Sequence, residues 1–127
     1  MVYLNNLRLP LVFVFVLLLS GVSSAEDHTV LVGTEDNPYI FSEANLVIAP
    51  GDNVTFVWTP GQPHNVAQVE SSTSNLYVSG GDIIFFYSGE PVDGVEWVLN
   101  STYTQEEGTL YYICEPHAGL QMRGQIV

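Results

Sequence analysis

Short runs rich in Val, Ile, Phe, Tyr and Trp recur along this chain, each cut off by Gly, Pro, Asn or Asp. Apolar residues almost never return with the 3.6-residue period of an amphipathic helix. That pattern confines a chain of 127 residues to one all-β domain. Strands are expected at 29–33, 39–41, 46–49, 54–58, 64–69, 75–78, 83–87, 95–99, 109–114 and 123–127. Val54, Phe56 and Trp58 alternate with Thr55 and Val57, as one buried strand face requires. Pro50-Gly51-Asp52 and Ser79-Gly80-Gly81-Asp82 read as turns. Segment 88–94 reads as a loop, and 70–75 as either a loop or a helical turn. Many short strands with turns between them predict a Greek-key β-sandwich or barrel. Trp58 and Trp97 are expected in its core, and Phe85-Phe86-Tyr87 in strand core or at a sheet edge.

The first residues follow a different rule. Arg8 and the amino terminus precede an almost wholly apolar run from Leu9 to Leu19, followed by Ser20-Gly21-Val22-Ser23-Ser24-Ala25. A positive start, an apolar core and small residues at the end describe an export signal. Ser23 and Ala25 fit the small-residue requirement, so 1–25 is expected to be a signal peptide cleaved after Ala25, with the domain spanning 26–127. The alternative is a retained N-terminal anchor, although the run is shorter than the ~20 residues of a spanning helix and contains Pro10. The expected location is the periplasm, the extracellular space or the outer face of the cytoplasmic membrane. Asn53-Val54-Thr55 and Asn100-Ser101-Thr102 match the glycosylation pattern of exported chains.

All 14 acidic residues fall in 26–127, where Arg123 is the only Lys or Arg; the whole chain carries a formal charge of −12. Nucleic acid is excluded as a partner, because phosphate binding needs the Lys and Arg that are missing. The scattered acids suit solubility or basic partners. The single Cys excludes an intrachain disulfide and a four-thiolate zinc or iron–sulfur site. His28, near the new terminus, is read as exposed and without a role.

The chemistry concentrates near the C-terminus. Cys114-Glu115-Pro116-His117-Ala118-Gly119-Leu120-Gln121-Met122 lies between two expected strands, and Pro63-His64-Asn65 opens an earlier one. One thiolate, two imidazoles and one thioether can meet at one end of a sandwich. Thiolate and thioether are soft ligands, and imidazole suits both copper oxidation states. Two His and one Cys with a weak axial Met is the blue-copper donor set. The competing readings of Cys114 are an inert buried thiol and a nucleophile paired with His117, which lacks an evident orienting group.

The stretches YYICEPHAGLQMRGQIV (111–127) and FSEANLVIAPGDNVTFVWTPGQPHNV (41–66) resemble the plastocyanin branch of the cupredoxins. The resemblance implies a cupredoxin-like Greek-key β-sandwich holding one copper, with His64, Cys114 and His117 as equatorial ligands and Met122 as the axial one. It implies that Asn65 ties the two ligand loops together and donates its backbone N–H to the Cys114 sulfur. The carbonyl of Pro63 is expected to face the copper opposite Met122. Pro116, having no N–H, adds no hydrogen bond to that sulfur. An apolar rim of Pro63, Pro116, Gly119 and Leu120 around the edge of His117 suits brief docking.

The chain departs from plant plastocyanins at three places. Ile113 stands where they carry a Tyr, their acidic run after the first ligand His is missing, and Gln121 replaces a usual Gly. The function implied is a monomeric, exported one-electron carrier between redox partners, a cytochrome or a membrane electron-transfer complex, and not an enzyme. The rivals are a copper site with small-molecule redox activity, for example on nitrogen oxides, a copper carrier, and a metal-free adhesion sandwich.

Overall fold

A computed structural model describes residues 24–77 and 85–127. Among the described residues seven strands are defined: β1 (Asp27–Val32), β2 (Asn45–Leu46), β3 (Asn53–Trp58), β4 (Ala67–Val69), β5 (Glu96–Leu99), β6 (Leu110–Ile113) and β7 (Arg123–Ile126). They form two sheets, in the orders β1-β3-β5 and β2-β7-β6-β4. β1 runs parallel to β3 and β2 parallel to β7, while the other pairs are antiparallel. The expected all-β sandwich is therefore the observed architecture.

β3 shows why the sequence folds this way. Its side chains alternate half-buried and buried, with Val54, Phe56 and Trp58 inside. They meet Val30 and Val32 of β1, Leu99 of β5, Leu46, Tyr112 and Ile126 of the other sheet, and Cys114 just beyond β6 in one core. Phe41, Phe56 and Tyr112 contact one another edge to face, with centroids 4.8–6.3 Å apart, an arrangement aromatic quadrupoles favour. Trp97 is half-buried and packs on the core edge. A second cluster on the outer face of the β4–β6 ladder holds Ala67, Val69, Ile113 and Ala118, covered by Tyr77, Tyr87 and Tyr111.

Gly124 lies opposite Tyr112 in the β6–β7 register, and the Tyr112 ring covers it. A methyl at 124 would sit 2.9 Å from ring atom Cε2 and closer still to the phenol end. Gly124→Ala is expected to lower stability by about 2 kcal/mol, as overpacking in a filled core does. The check is a lower urea midpoint with an unchanged slope.

Several expected strands are shorter or absent. At 39–41 only an isolated bridge, Val32 to Phe41, forms. A tight turn intervenes, in which Thr34 and Gly33 donate to the carbonyls of Asn37 and Ile40. The expected strand 46–49 is the two-residue β2. The expected strand 64–69 starts only at Ala67, because His64 bridges Val92 and the Val66 N–H goes to the Ser88 hydroxyl. Residues 75–77 are irregular. Nearby carbonyls of Ser72 and Ser74 accept from the Arg123 guanidinium at 2.7 and 3.1 Å, and Tyr77 stacks on Tyr87. Of 83–87, the described residues 85–87 make one bridge, Ala67 to Tyr87. Segment 70–75 resolves as a turn, with Ser74 donating to Ser71. The turn expected at 79–82 and the leader up to residue 23 lie outside the described residues. Two 3-10 helices, Ser101–Thr104 and Glu115–Leu120, were not anticipated.

The Pro50-Gly51-Asp52 turn is present, with Gly51 at φ 87° and the Asp52 N–H donating to Ala49. Its Asp52 is buried and corrects the reading of His28. The His28 ring is only 20% exposed and contacts Asp52 Oδ2 at 2.9 Å. The N–H groups of Glu26 and Ala49 donate to the same carboxylate, each at 3.0 Å. The Glu26 N–H, then His28 and Ala49, pull the Asp52 pKa from 3.8 down to about 2. A carboxylate depressed in the fold stabilises it above its unfolded pKa, and that contribution is lost as pH falls through the folded one. The stability gap between the wild type and Asp52→Asn is therefore full above about pH 4 and shrinks toward pH 2. Urea titrations of both proteins at pH 6, 4 and 2.5 check this.

Candidate metal centre

Two loops at one end of the sandwich build the site. The first leaves β3, and its His64 is pinned on both sides. His64 exchanges backbone hydrogen bonds with Val92 at 2.8 and 3.0 Å, and its carbonyl accepts from the Trp58 indole at 2.6 Å. Gly33, at φ 82°, lets the backbone pass close to the imidazole; a Cβ there would lie 3.2 Å from His64 Nε2. The second loop leaves β6 at Cys114, runs through the 3-10 helix Glu115–Leu120 and enters β7 after Met122. The Cys114 N–H donates to the Met122 carbonyl at 3.1 Å, and the Met122 N–H donates to the His117 carbonyl at 3.2 Å. Gln121 closes the helix in the left-handed conformation, at φ 67°.

Three of the four expected ligands converge through their ligating atoms. Cys114 Sγ lies 3.5 Å from His64 Nδ1 and 3.4 Å from His117 Nδ1, and the two Nδ1 atoms are 3.2 Å apart. The centre of that triangle is about 2 Å from each corner, the length of a transition-metal bond to nitrogen or sulfur. His64, Cys114 and Met122 are buried, and His117 is half-buried. Burial lowers the pKa of both imidazoles, helped at His64 by the charge of His117. Neutral imidazoles are the form that ligates. Burial raises the Cys114 thiol, against hydrogen bonds from the backbone N–H groups of Asn65 and His117. Metal binding there displaces a thiol proton.

The supports around the triangle match expectation in part. Asn65 is fully buried and does tie the loops. Its Oδ1 accepts from the Glu115 N–H at 2.8 Å, and its Nδ2 donates to Glu115 Oε1 at 2.6 Å and to the Gly89 carbonyl at 3.1 Å. The His117 N–H donates to the Cys114 carbonyl at 3.1 Å. Pro63, Pro116, Gly119 and Leu120 are exposed, Leu120 by 60%.

Three participants escaped the sequence reading. Glu115 accepts from Asn65 and from the Tyr87 hydroxyl at 2.8 Å. Tyr87 stacks on Tyr77, and burial, then Glu115, raises its pKa to about 12. Tyr39 packs its ring on His117 with centroids 4.9 Å apart. Only Glu115, adjacent to Cys114, carried a signal in the sequence.

A family model described as copper binding proteins of the plastocyanin/azurin family matches residues 28–127. The chain belongs to that family. It is 31% identical over 97 residues to plastocyanin of Daucus carota, covering 76% of this chain and 95% of the carrot protein. Plastocyanin A/B of Petroselinum crispum matches to the same extent. Among solved structures, a purple cupredoxin from Nitrosopumilus maritimus superposes with a TM-score of 0.58 at 20% identity, over 80% of this chain and 98% of that one. A copper-containing nitrite reductase from Thermus scotoductus superposes with a TM-score of 0.55 at 20% identity, over 84% of this chain but 23% of that one. The fold is thus cupredoxin-like, and copper is the metal of the family.

Proposed function

We propose that this protein is an exported one-electron carrier in which His64, Cys114 and His117 hold one copper, with Met122 as the axial ligand. The observation that carries the reading is the triangle of two Nδ1 atoms and one buried sulfur, each side 3.5 Å or less. Copper, when bound, supplies the Cu(II)/Cu(I) couple, and no substrate bond is made or broken. The chain supplies a fixed frame. His64 is held by β3 and Val92, Cys114 by Met122, and the two loops by Asn65 and Glu115. Ligands that do not move between oxidation states keep the reorganisation on electron transfer small. The half-buried edge of His117 is the electron path. It opens on a rim of Pro63, Pro116, Gly119 and Leu120, all of them exposed. An apolar patch of this kind suits transient docking of a redox protein, a cytochrome or a membrane complex, with the carrier acting as a monomer. Met122 is fully buried and would complete the donor set if copper were bound, whereas small-molecule redox chemistry needs an open coordination position.

Cu(II) titration of the purified protein tests this. One equivalent is expected to give an intense thiolate-to-copper band that ascorbate bleaches, and to raise the thermal midpoint, since only the folded chain presents the site. One bound copper with a weak spectrum would favour a carrier or an open redox site. No binding would leave a metal-free sandwich.

A further inference from the structure

The backbone nitrogen of Glu26 lies 3.0 Å from Asp52 Oδ1. Asp52 is 4% exposed and sits in the 49–52 turn, with its other oxygen held by His28 and Ala49. The Glu26 carbonyl accepts from the Asn53 N–H at 2.8 Å. Among the described residues, the hydrogen bonding of the fold starts at this residue. Ser24 and Ala25, just upstream, are exposed and outside any strand. The small-residue pattern at Ser23 and Ala25 independently places the export cleavage at the Ala25–Glu26 bond. Two unrelated observations, one on sequence and one on geometry, thus select the same nitrogen.

We propose that cleavage after Ala25 creates an α-ammonium on Glu26 that pairs with the buried Asp52 carboxylate and locks β1 to the 49–52 turn. The step is a hydrolysis by an export endopeptidase. Water adds OH to the Ala25 carbonyl carbon as the C–N bond breaks. The nitrogen takes the other hydrogen of the water and then the proton of the new acid, leaving a carboxylate on Ala25 and an ammonium on Glu26.

Before cleavage the contact is a neutral amide donating to a carboxylate. Afterwards the same atom carries a full charge at the same distance, and a charge-assisted bond is the stronger one. The site also reads position. Cleavage one residue to either side would move the ammonium by roughly 3.8 Å, out of hydrogen-bond range of Oδ1. Cations are scarce in the processed domain, where Arg123 is the only Lys or Arg. Its guanidinium is engaged by Ser72, Ser74 and Asn75. The other titratable groups at the new terminus are the Glu26 side chain and His28, both in the same cluster, and Asp27, whose carboxylate accepts from the Asn53 side chain at 2.9 Å. The pairing rests on the signal-peptide reading and is independent of copper.

The test compares the chain beginning at Glu26 with the same chain acetylated on that nitrogen, which keeps the hydrogen bond and removes the charge. The α-amine is expected to titrate about one pH unit above its usual ~7.7–8.0, and the free-amine form to have a roughly tenfold smaller unfolding constant. Asp52→Asn should erase the difference between the two forms. If that variant does not fold, the α-amine titration of the wild-type protein decides alone. An α-amine in its ordinary range, with equal urea midpoints for both forms, would overturn the pairing. The mass of the exported protein reads the processing separately: a chain starting elsewhere than Glu26 would overturn the cleavage half.

Discussion

Cys114→Ala is expected to abolish the intense visible band of the copper-loaded protein while the far-UV circular dichroism stays that of the wild type. Cys114 is the only Cys of the chain, so no other thiolate can take its place. Its sulfur touches both Nδ1 atoms at 3.4–3.5 Å, and removing it leaves two imidazoles and a thioether. Copper still bound by these is expected to be pale and weakly held. The residue also belongs to the main core, so losing the sulfur costs about 1 kcal/mol of stability, an ordinary figure for a small buried truncation. An equally intense thiolate–copper absorption in the variant would refute the assignment. A general unfolding of the variant would be read from the far-UV spectrum, and Cys114→Ser then serves as the smaller perturbation.

Asn65→Ala is expected to lower stability by about 3 kcal/mol, because it strips several buried polar groups of their partner at once. The Glu115 N–H, the Glu115 carboxyl and the Gly89 carbonyl all lose a hydrogen bond to the same side chain. The substitution leaves His64, Cys114 and His117, whose ligating atoms form the triangle, in place. The colour should therefore persist, with copper affinity reduced roughly 10–100-fold, as outer contacts of metal sites show when removed. Urea unfolding and competition with a copper chelator separate the two effects. Full colour with unchanged affinity and stability would show that Asn65 does not tie the loops.

Much of this was legible in the sequence, for identifiable reasons. β3 was expected at 54–58 and spans 53–58, because strict alternation of Val, Phe and Trp with half-exposed residues admits one period only. β5, β6 and β7 were found within a residue at each end. The strand expected at 39–41 failed because Phe41 is apolar for the core and not for a ladder; its backbone makes one bridge beside a tight turn. The 3-10 helices escaped because four to six residues carry too little periodicity to register. At the site, Cys114 and His117 share one short segment, so their meeting is local, and His64 was recognisable from its Pro and Asn neighbours. Tyr39 and Tyr87 reach the site through packing between distant segments, which no spacing reports. His28 was misread for the same reason, since its partner Asp52 lies 24 residues away.

The two loops that carry the triangle lie 50 residues apart, from His64 to Cys114. A metal held at both ends makes those residues a closed ring. By the chain-entropy argument used for covalent cross-links, closing a ring of that size removes about 4 kcal/mol of freedom from the unfolded chain. Exported domains of this size often rely on disulfides for such closure, and a chain with one cysteine has none to offer. Here the staple is an ion, so it is reversible: a chelator opens it without any reductant, and refolding in metal-free medium must close nearly the same ring on the β4–β6 ladder and the Asn65–Glu115 contacts.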